Sequence, residues 1–315
     1  MREAWIGAGG WDYFRSGPTD RPLPDYARGF RFVEVNTTFY RHPSIVDARR
    51  WRRSVPLDFT FAVKGHRSIT HGAGFQATRA ALSAVARDLA IAHALRADVL
   101  VLETPPDRKF GREEVRAFRD FAAIDPKTRI GLEARAYAGR ALPATLASAL
   151  RDAGGIDVVD LSKGQRPRVA SDVLYTRLLG QGSGNDWEFS DDELRKISAA
   201  AKKHDARRMA FAFHGVRMYK DAARFLTFER TGRLPPATRH VGIEAIQEVL
   251  EPDARFPAKR EDLLRDHGWK VIATEGRGNV HASELLEPLP SRPYASIADV
   301  LAALCRWGGT AVAKS

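Results

Sequence analysis

The sequence contains a single cysteine, Cys305, in 315 residues. One cysteine cannot form a disulfide within the chain, and it cannot supply the several thiolates that an iron–sulfur cluster or a thiolate-rich zinc site needs. Long apolar runs are also missing, since none approaches the roughly 18 residues that a membrane-spanning helix requires. The first residues carry Glu3 and Asp12 where a signal peptide has an uncharged apolar core. From these absences we expect a soluble, cytoplasmic protein with no membrane partner.

Acidic residues are fewer than basic ones: 39 Asp and Glu stand against 50 Lys and Arg, which gives a net charge of +11. Residues 232–315 hold 11 of each sign, so the whole excess lies in residues 1–231. A basic surface attracts anionic partners, either a phosphorylated small molecule or nucleic acid. A chain rich in Arg and Ala also suits a GC-rich coding sequence, so the excess charge has an alternative explanation without a binding role.

Short apolar runs rich in β-forming residues alternate with longer segments of helical period as far as residue 230. The predicted strands are 4–9, 32–37, 59–64, 98–103, 129–134, 156–161, 173–179 and 208–214. The predicted helices between them are 21–29, 45–53, 76–96, 112–123, 142–152, 191–204 and 220–229, with only a short turn of helix expected after Asp160. Eight strand–helix repeats of this length predict an α/β fold, a (β/α)8 TIM-type barrel. A doubly wound open sheet is the alternative, but residues 7–12 do not match its glycine-rich dinucleotide turn.

Residues 232–315 break the alternation of strands and helices. Their helix-like segments are 242–250, 259–267 and 297–307, and a strand-like segment lies at 269–273. We expect residues 1–231 to form the barrel and residues 232–315 to form a small C-terminal α/β cap packed on it.

The carboxyl ends of the predicted strands carry polar groups, and this is the end of a TIM barrel where catalytic residues lie. Because side chains alternate along a strand, the period of two places these groups on one face. The set is Glu34, Lys64, Glu103, Glu133, Arg135, Asp160, Arg177 and His214. Ionised groups inside a barrel are costly unless they are paired, so the set indicates either a functional site or a structural network of ion pairs.

The acids of this set permit a divalent metal site for Mg²⁺, Mn²⁺ or Zn²⁺. The candidate ligands are Glu34, Glu103, Glu133, Asp160 and His214. Lys64, Arg135 and Arg177 are able to neutralise the same acids without a metal, so the sequence leaves both arrangements open.

Two loops add candidate residues. The loop after the seventh strand contains Gly180 and Gly182, and loops at this position often bind phosphate through backbone N–H groups. Arg177 before it and Lys220 after the eighth strand would complete an anion site, although flexible-loop composition explains the glycines equally well. His71 lies in the loop above the third strand, where it is placed either to exchange protons near neutral pH or simply to form hydrogen bonds.

Seven segments resemble one known family in both content and order. They are Gly10-Trp-Asp-Tyr, Val33-Glu-Val-Asn-Thr-Thr-Phe-Tyr, Phe61-Ala-Val-Lys, Ile69-Thr-His, Pro105-Pro, Glu133-Ala-Arg and Tyr175-Thr-Arg-Leu. This family is the YecE-like proteins, also catalogued as domain of unknown function 72. The resemblance implies a TIM barrel and says little about activity.

The residues that the resemblance implies around the barrel mouth are Trp11, Glu34, Asn36, Tyr40, Lys64, His71, Glu133 and Arg135. The sequence departs from the family pattern at Ala136, where a histidine usually follows the arginine, and at Leu179, which replaces the histidine of Arg-Leu-His-Gly. We therefore expect a divergent member of the family with a C-terminal extension.

Three functions follow from these observations. The leading hypothesis is a hydrolase, with or without a metal, that acts on a phosphate ester or a nucleic-acid phosphodiester. In it Glu133 or Glu34 is the general base or a metal ligand, Lys64 and Arg135 stabilise negative charge, and Arg177 with Lys220 holds the phosphate. The second is a sugar or sugar-phosphate isomerase or lyase that uses Lys64 in a Schiff base or as an electrostatic group. The third is a non-catalytic nucleic-acid-binding protein that uses the arginine-rich outer helices.

Overall fold

The computed structural model describes residues 3–15, 18, 19, 21–182 and 184–308. Within them, eight parallel strands form one sheet: β1 Glu3–Ala8, β2 Phe32–Val35, β3 Thr60–Lys64, β4 Val99–Glu103, β5 Arg129–Glu133, β6 Ile156–Asp157, β7 Val173–Leu178 and β8 Arg208–Phe213. Their order is β6-β5-β4-β3-β2-β1-β8-β7. A parallel bridge between Val159 and Thr176 joins the two outer strands. The sheet therefore closes into a barrel, and the predicted (β/α)8 fold is confirmed.

Helices follow the strands as the sequence predicts. They are α1 Pro22–Gly29, α2 Ile45–Arg53, α3 Arg79–Leu95, α4 Arg112–Ile124, α5 Ala144–Asp152, α6 Asp191–Lys202 and α7 Met218–Thr231. Side-chain caps start several of them: Ser44 Oγ accepts a hydrogen bond from the Asp47 N–H at 3.0 Å, and Thr78 Oγ1 accepts one from the Ala81 N–H at 3.1 Å. After β6 the chain forms only a 3₁₀ turn, Leu161–Lys163, in agreement with the expected irregular stretch.

The inside of the barrel is filled by alternate residues of the strands. Trp5, Phe32, Val101 and Tyr175 belong to this interior core together with smaller Ala and Val side chains. This core includes bulky aromatic residues on the same strand faces as the charged groups, since Phe32 shares its face with Glu34 and Tyr175 shares its face with Arg177. The apolar layer fills the barrel and leaves the carboxyl ends of the strands to the polar side chains.

The chain forms two compact units and passes between them after Leu178, Ser198 and His214. The first unit contains all eight barrel strands. The second contains residues 179–198 together with those from 215 onward, whereas the sequence predicts a boundary at residue 232. Residues 179–198 and 215–231 thus belong to the same compact unit as the C-terminal residues. The boundary between barrel and cap at residue 232 stays a prediction.

The second unit has a hydrophobic core of its own, which includes Ile246, Leu263, Tyr294 and Val300. Its C-terminal elements are α8 Ile243–Leu250, β9 Ala258–Lys259, α9 Arg260–His267, β10 Val271–Thr274, β11 Gly278–His281, α10 Ser283–Leu286, β12 Pro293–Tyr294 and α11 Ile297–Gly308. Strand β10 pairs with β11 in an antiparallel hairpin. No helix in the described residues has the length and apolar character needed to span a membrane.

Candidate functional site

Six ionisable side chains meet inside the barrel at the carboxyl ends of its strands, and we call them the interior charge cluster. They are Glu34 of β2, Lys64 of β3, Glu103 of β4, Glu133 of β5, Arg135 just after β5, and Arg177 of β7. Lys64, Glu103 and Glu133 are each the last residue of their strand, so parallel strands of similar length bring them to one level. Six of the eight strand-end residues predicted from the alternation thus meet in space.

Arg177 is the centre of the interior charge cluster. Its side chain is 2% exposed, and Nη2 lies 3.2 Å from Oε1 of Glu34. Its Nη1 contacts carboxylate oxygens of both Glu103 and Glu133. Burial alone would lower the pKa of Arg177, but the three carboxylates hold it well above its ordinary value. The guanidinium therefore stays charged and links three strands through ion pairs.

Two further cations, Lys64 and Arg135, contact the carboxylates. Lys64 Nζ lies 2.9 Å from Oε2 of Glu103, and Arg135 Nη1 lies 3.1 Å from Oε1 of the same residue. Arg135 also bonds Oε1 of Glu133 through Nε at 3.1 Å. Burial alone would raise the pKa of Glu103, but Arg177, Lys64 and Arg135 lower it far below its ordinary value. Three carboxylates thus face three cations, and the cluster is neutral as a whole.

Lys64 has the environment of a reactive amine. Burial and the charge of Arg177 lower its pKa, and Glu103 offsets only part of this effect. Its Nζ also lies 3.9 Å from the centroid of the Phe39 ring, a cation–π contact. A lysine with a lowered pKa has a larger neutral fraction at physiological pH, and the neutral amine is the form that attacks carbonyl carbon or accepts a proton.

Two neutral groups complete the deep side of the site. The Tyr175 hydroxyl donates to Oε2 of Glu34 at 2.8 Å, and His214 Nε2 lies 3.4 Å from Oε1 of Glu34. Burial, together with the charges of Arg177 and Lys64, holds the pKa of His214 well below its ordinary value. His214 is therefore uncharged at neutral pH. A Cβ at Gly9 would lie 2.2 Å from Cε1 of His214, so the imidazole fits only because residue 9 is glycine.

Exposure increases across the cluster from Glu34 to Arg135. The side chains of Glu34 and Arg177 are 0% and 2% exposed, whereas Glu133 is 11% and Arg135 is 28% exposed. A molecule that reaches the site from solvent meets Arg135 and Glu133 first.

His71 and Phe39 lie beside the cluster. The two rings are 5.3 Å apart at a steep angle, and Nδ1 of His71 is 2.8 Å from Oγ1 of Thr70. Partial burial lowers the pKa of His71, and the charges of Glu103, Lys64 and Arg135 also act on it. His71 and Lys64 thus share one neighbour, the Phe39 ring, and a role of His71 in proton exchange stays a prediction.

The family-model comparison matches residues 5–238 to the family described as protein of unknown function DUF72. The chain belongs to the DUF72 family. A DUF72 family protein from Enterococcus faecalis V583 has 13% identity and a TM-score of 0.56, with 73% of this chain and 98% of that chain covered. One from Thermotoga maritima MSB8 has 19% identity and a TM-score of 0.55, with 72% and 99% covered. At these identities the likeness shows the fold alone. The search of curated proteins gave no match.

Three further residues that the DUF72 resemblance implies at the mouth differ in their surroundings. Asn36 directly follows β2, and its Oδ1 is buried without a hydrogen-bond partner among the described residues. Tyr40 is 63% exposed. Trp11 is 6% exposed and packs edge-on against Trp51, at 5.1 Å, and Phe61. Asn36 thus offers an unused acceptor, while Trp11 is held by aromatic packing.

The remaining predicted residues make local contacts in the DUF72 fold. Asp160 is 3% exposed, and its Oδ1 accepts hydrogen bonds from the N–H and hydroxyl of Ser162, which caps the 3₁₀ turn after β6. In the second unit, Lys220 Nζ lies 2.5 Å from Oε1 of Glu188. A Cβ at Gly180 would lie 2.1 Å from Trp187, and one at Gly182 would lie 2.1 Å from the carbonyl oxygen of Asp186. Close packing within the loop therefore accounts for both glycines, and their role in phosphate binding stays a prediction.

The five candidate metal ligands do not form one group in this structure. Glu34, Glu103 and Glu133 direct their carboxylates at Arg177, while Asp160 caps its own turn. Within the part of the chain that the structure describes, no three His, Cys, Asp or Glu side chains are placed to hold a metal ion. Of the two arrangements that the sequence left open, the described residues show neutralisation by cations, since the guanidinium of Arg177 lies where the carboxylates of Glu34, Glu103 and Glu133 converge. A metal site at these residues stays a prediction.

Two side chains that contact this DUF72 site, Tyr175 and Phe39, were not among the predicted site residues. The alternation places Tyr175 on the same face as Arg177, but a tyrosine on that face is equally typical of the barrel core. Phe39 contacts Lys64 and lies beside His71. It belongs to a 3₁₀ turn, Thr37–Phe39, where neither the period of a strand nor that of a helix indicates which way a side chain points.

Proposed function

We propose that this protein is an enzyme that binds a small anionic substrate at the exposed edge of the interior charge cluster and hydrolyses a phosphate ester or phosphodiester. The observation that carries the proposal is the gradient of exposure. The carboxylates of Glu34 and Glu103 are at most 7% exposed, whereas Arg135, a cation, is the most exposed member of the cluster. A guanidinium in this position suits an oxyanion, which it binds with two parallel hydrogen bonds.

The contacts of Glu133 suggest how binding would lead to reaction. Its Oε1 accepts a hydrogen bond from Nε of Arg135 at 3.1 Å. A phosphate group that takes the hydrogen bonds of Arg135 frees this oxygen, and Glu133 is then able to accept a proton from the attacking water. The water oxygen bonds to phosphorus as the ester P–O bond breaks, and the proton on Glu133 then passes to the departing alkoxide. Lys64 and Arg135 stabilise the charge that develops on the phosphoryl oxygens.

The test is a screen of phosphomonoesters and phosphodiesters, with and without Mg²⁺, Mn²⁺ or Zn²⁺, on the wild type and on Glu133→Gln and Arg135→Gln. We expect Glu133→Gln to lower kcat about 100-fold, because general-base catalysis typically contributes that much or more. Arg135→Gln should chiefly raise KM, since it removes the exposed anion contact. Arg79→Gln, an exposed arginine at the start of α3, is the control and should change neither constant. Unchanged kcat/KM in both cluster variants would overturn the proposal.

The lowered pKa of Lys64 favours a second candidate, a sugar or sugar-phosphate lyase or isomerase. In it the neutral amine attacks the substrate carbonyl, water leaves, and an imine forms at Nζ. Borohydride should reduce this imine to a stable secondary amine, which mass spectrometry locates on Lys64. Lys64→Arg should abolish the adduct and Lys109→Arg, at an exposed site, should not. If no carbonyl substrate is trapped on Lys64, this candidate fails while the hydrolase proposal is unaffected.

A further inference from the structure

A second cationic site lies on the outside of the barrel, and we call it the arginine groove. It is a cavity of about 520 Å³ between α2 and α3. Its basic lining residues are Arg49, Arg52, Arg53, His93 and Arg96, and no acidic side chain lines it. Most of them lie toward the C-terminal ends of α2 and α3, which lead into β3 and β4. The groove is therefore near the end of the barrel opposite to the interior charge cluster.

Only some of the cations of the groove have hydrogen-bond or ion-pair partners within the described residues. Arg52 is buried and donates to backbone carbonyl oxygens, that of Phe59 at 2.5 Å and that of Pro56. Arg49, Arg53 and Arg96, in contrast, are exposed. Across the described chain, none of these three guanidinium groups has a hydrogen bond or an ion pair.

The acids near the groove already have other partners. Asp47 pairs with Arg50 at 2.5 Å, Asp58 with Arg31 at 3.3 Å and Asp125 with His93 at 2.6 Å. Burial and then the like charge of Arg96 lower the pKa of Arg52, and the charge of Asp58 only partly opposes this. The groove thus has an excess of positive charge that nothing in its lining neutralises.

The ordinary reason for arginines at helix C-termini accounts for part of this set. Cations there stabilise the helix dipole, and Arg52 also donates to the carbonyl oxygens of Phe59 and Pro56 in the loop that follows α2. Arg96 needs another explanation, because it is the C-cap of α3 and has φ of +56°, a conformation that glycine adopts more easily. Ala90 and Ala94 on the facing side of α3 are small and leave the cavity open.

We propose that the arginine groove binds a ligand that carries two or more phosphate groups, independently of the interior charge cluster. Three free guanidinium groups around one cavity are suited to several phosphate oxygens at once, since each guanidinium donates hydrogen bonds in a fixed fork. A cavity of about 520 Å³ has room for more than a single phosphate ion. The shared chemistry is a chain of phosphates, whether in a small molecule or in a nucleic-acid backbone.

The test uses tripolyphosphate as the probe, titrated into the full-length protein by calorimetry at low salt. The groove variant is Arg49→Gln with Arg53→Gln. Its matched control is Arg79→Gln with Arg87→Gln, two exposed arginines of α3 that do not line the cavity. Both pairs remove two positive charges and keep good helix formers. We expect the groove variant to bind at least 10-fold more weakly than the wild type, and the control to change by less than 2-fold.

A second variant and a second probe complete the design. Arg96→Gly removes one guanidinium at a backbone position that favours glycine, and it should also weaken binding while the protein stays folded. A 15-nucleotide thymidine strand distinguishes the source of the phosphates. If the groove variant, and not the control variant, binds only the thymidine strand more weakly, the natural ligand is a nucleic-acid backbone. If the groove variant alone binds tripolyphosphate more weakly, the ligand is a small phosphorylated molecule. Equal losses in the groove and control variants, or no wild-type binding of either probe, would overturn the proposal. Glu133→Gln, which tests the barrel site, should leave groove binding unchanged.

Discussion

The interior charge cluster and the arginine groove both contain several arginines, but the two regions differ in burial and in pairing with carboxylates. In the cluster, three cations meet three carboxylates, and Arg177 is 2% exposed. In the groove, four arginines line one cavity without a single acidic lining residue. A buried charge must be paired because its desolvation is costly, whereas an exposed one is stabilised by water and stays available to a ligand. The net charge of +11 therefore says little until each arginine is assigned to one of these two environments.

This difference has a consequence for stability. Each member of the cluster depends on several partners, so the loss of one leaves the others buried and unpaired. The exposed arginines of the groove have no partners to lose. Substitutions of equal size should thus have very different effects in the two regions.

The largest effect is expected for Arg177→Met, which leaves Glu34, Glu103 and Glu133 without their common partner. Breaking a buried ion pair typically costs about 3–5 kcal/mol in the free energy of unfolding. The matched substitution Arg53→Met in the groove should change this free energy by no more than about 0.5 kcal/mol. The free energy of unfolding of both variants is measured by urea unfolding. Similar small decreases in this free energy at the two positions would show that the cluster is not a structural unit.

Glu103→Gln should have the next largest effect and should depend on pH. The pKa of Glu103 is lowered in the folded protein, so its stabilising contribution is present above the ordinary value of 4.5 and is lost as the pH falls below it. We expect the wild type to exceed the variant by about 3 kcal/mol at pH 7, as for a broken buried pair. The gap should narrow as the pH is lowered from 4.5 to 3. A gap that does not depend on pH would mean that packing, and not charge, makes the difference.

His214→Asn addresses the deep side of the cluster. The pKa of His214 is lowered well below 6.5 in the folded protein, so as the pH falls below 6.5 only the unfolded chain takes up this proton. Below that pH the wild type should lose up to about 1.4 kcal/mol per pH unit from this residue. The variant should lack this loss between pH 6.5 and 5 when unfolding is followed in urea. His240→Asn, at an exposed histidine, is the control and should keep the wild-type slope.

The smallest effect, and one of opposite sign, is expected in the groove. Arg96→Gly replaces a residue with positive φ and removes a like charge from beside Arg52. Relief of the left-handed conformation should raise the free energy of unfolding by about 0.5–1 kcal/mol. Thermal unfolding would show this as a higher Tm. A lower Tm would show that the Arg96 side chain stabilises the fold, and the contrast between the two regions would then be weaker.

The barrel and most of its polar interior could be predicted because both depend on the period of two. The period places Glu34, Lys64, Glu103 and Arg177 on inward faces, and parallel strands bring their ends together. The identity of each ion pair depends on register across the barrel, which the sequence of one strand does not contain. Hence Arg177 was predicted as a phosphate ligand, yet its guanidinium is held by three carboxylates.

Other parts were less predictable because their signals are weak or distributed. Strand β11, Gly278–His281, contains Gly and Asn, which have low β propensity, and it forms only as the partner of β10. The arginine-rich outer helices were visible in the sequence. The division between the buried Arg52 and its exposed neighbours, however, depends on how α2 packs on the strands. The sequence places Trp11 at the mouth of the barrel. It does not predict the packing of Trp11 against Trp51 and Phe61, because those two residues come from distant segments of the chain.

The barrel closes at a seam between β6 and β7, and Arg177 lies on that seam. Strand β6 is only two residues long. Two residues after its end, the Val159 carbonyl oxygen accepts a hydrogen bond from the Arg177 N–H at 3.0 Å. From the same residue the guanidinium reaches across the barrel to Glu34 of β2. Arg177 thus joins the two sides of the seam through its backbone hydrogen bond and forms an ion pair with β2, across the barrel, through its side chain. Opening of the seam and disassembly of the charge cluster should therefore be a single cooperative event.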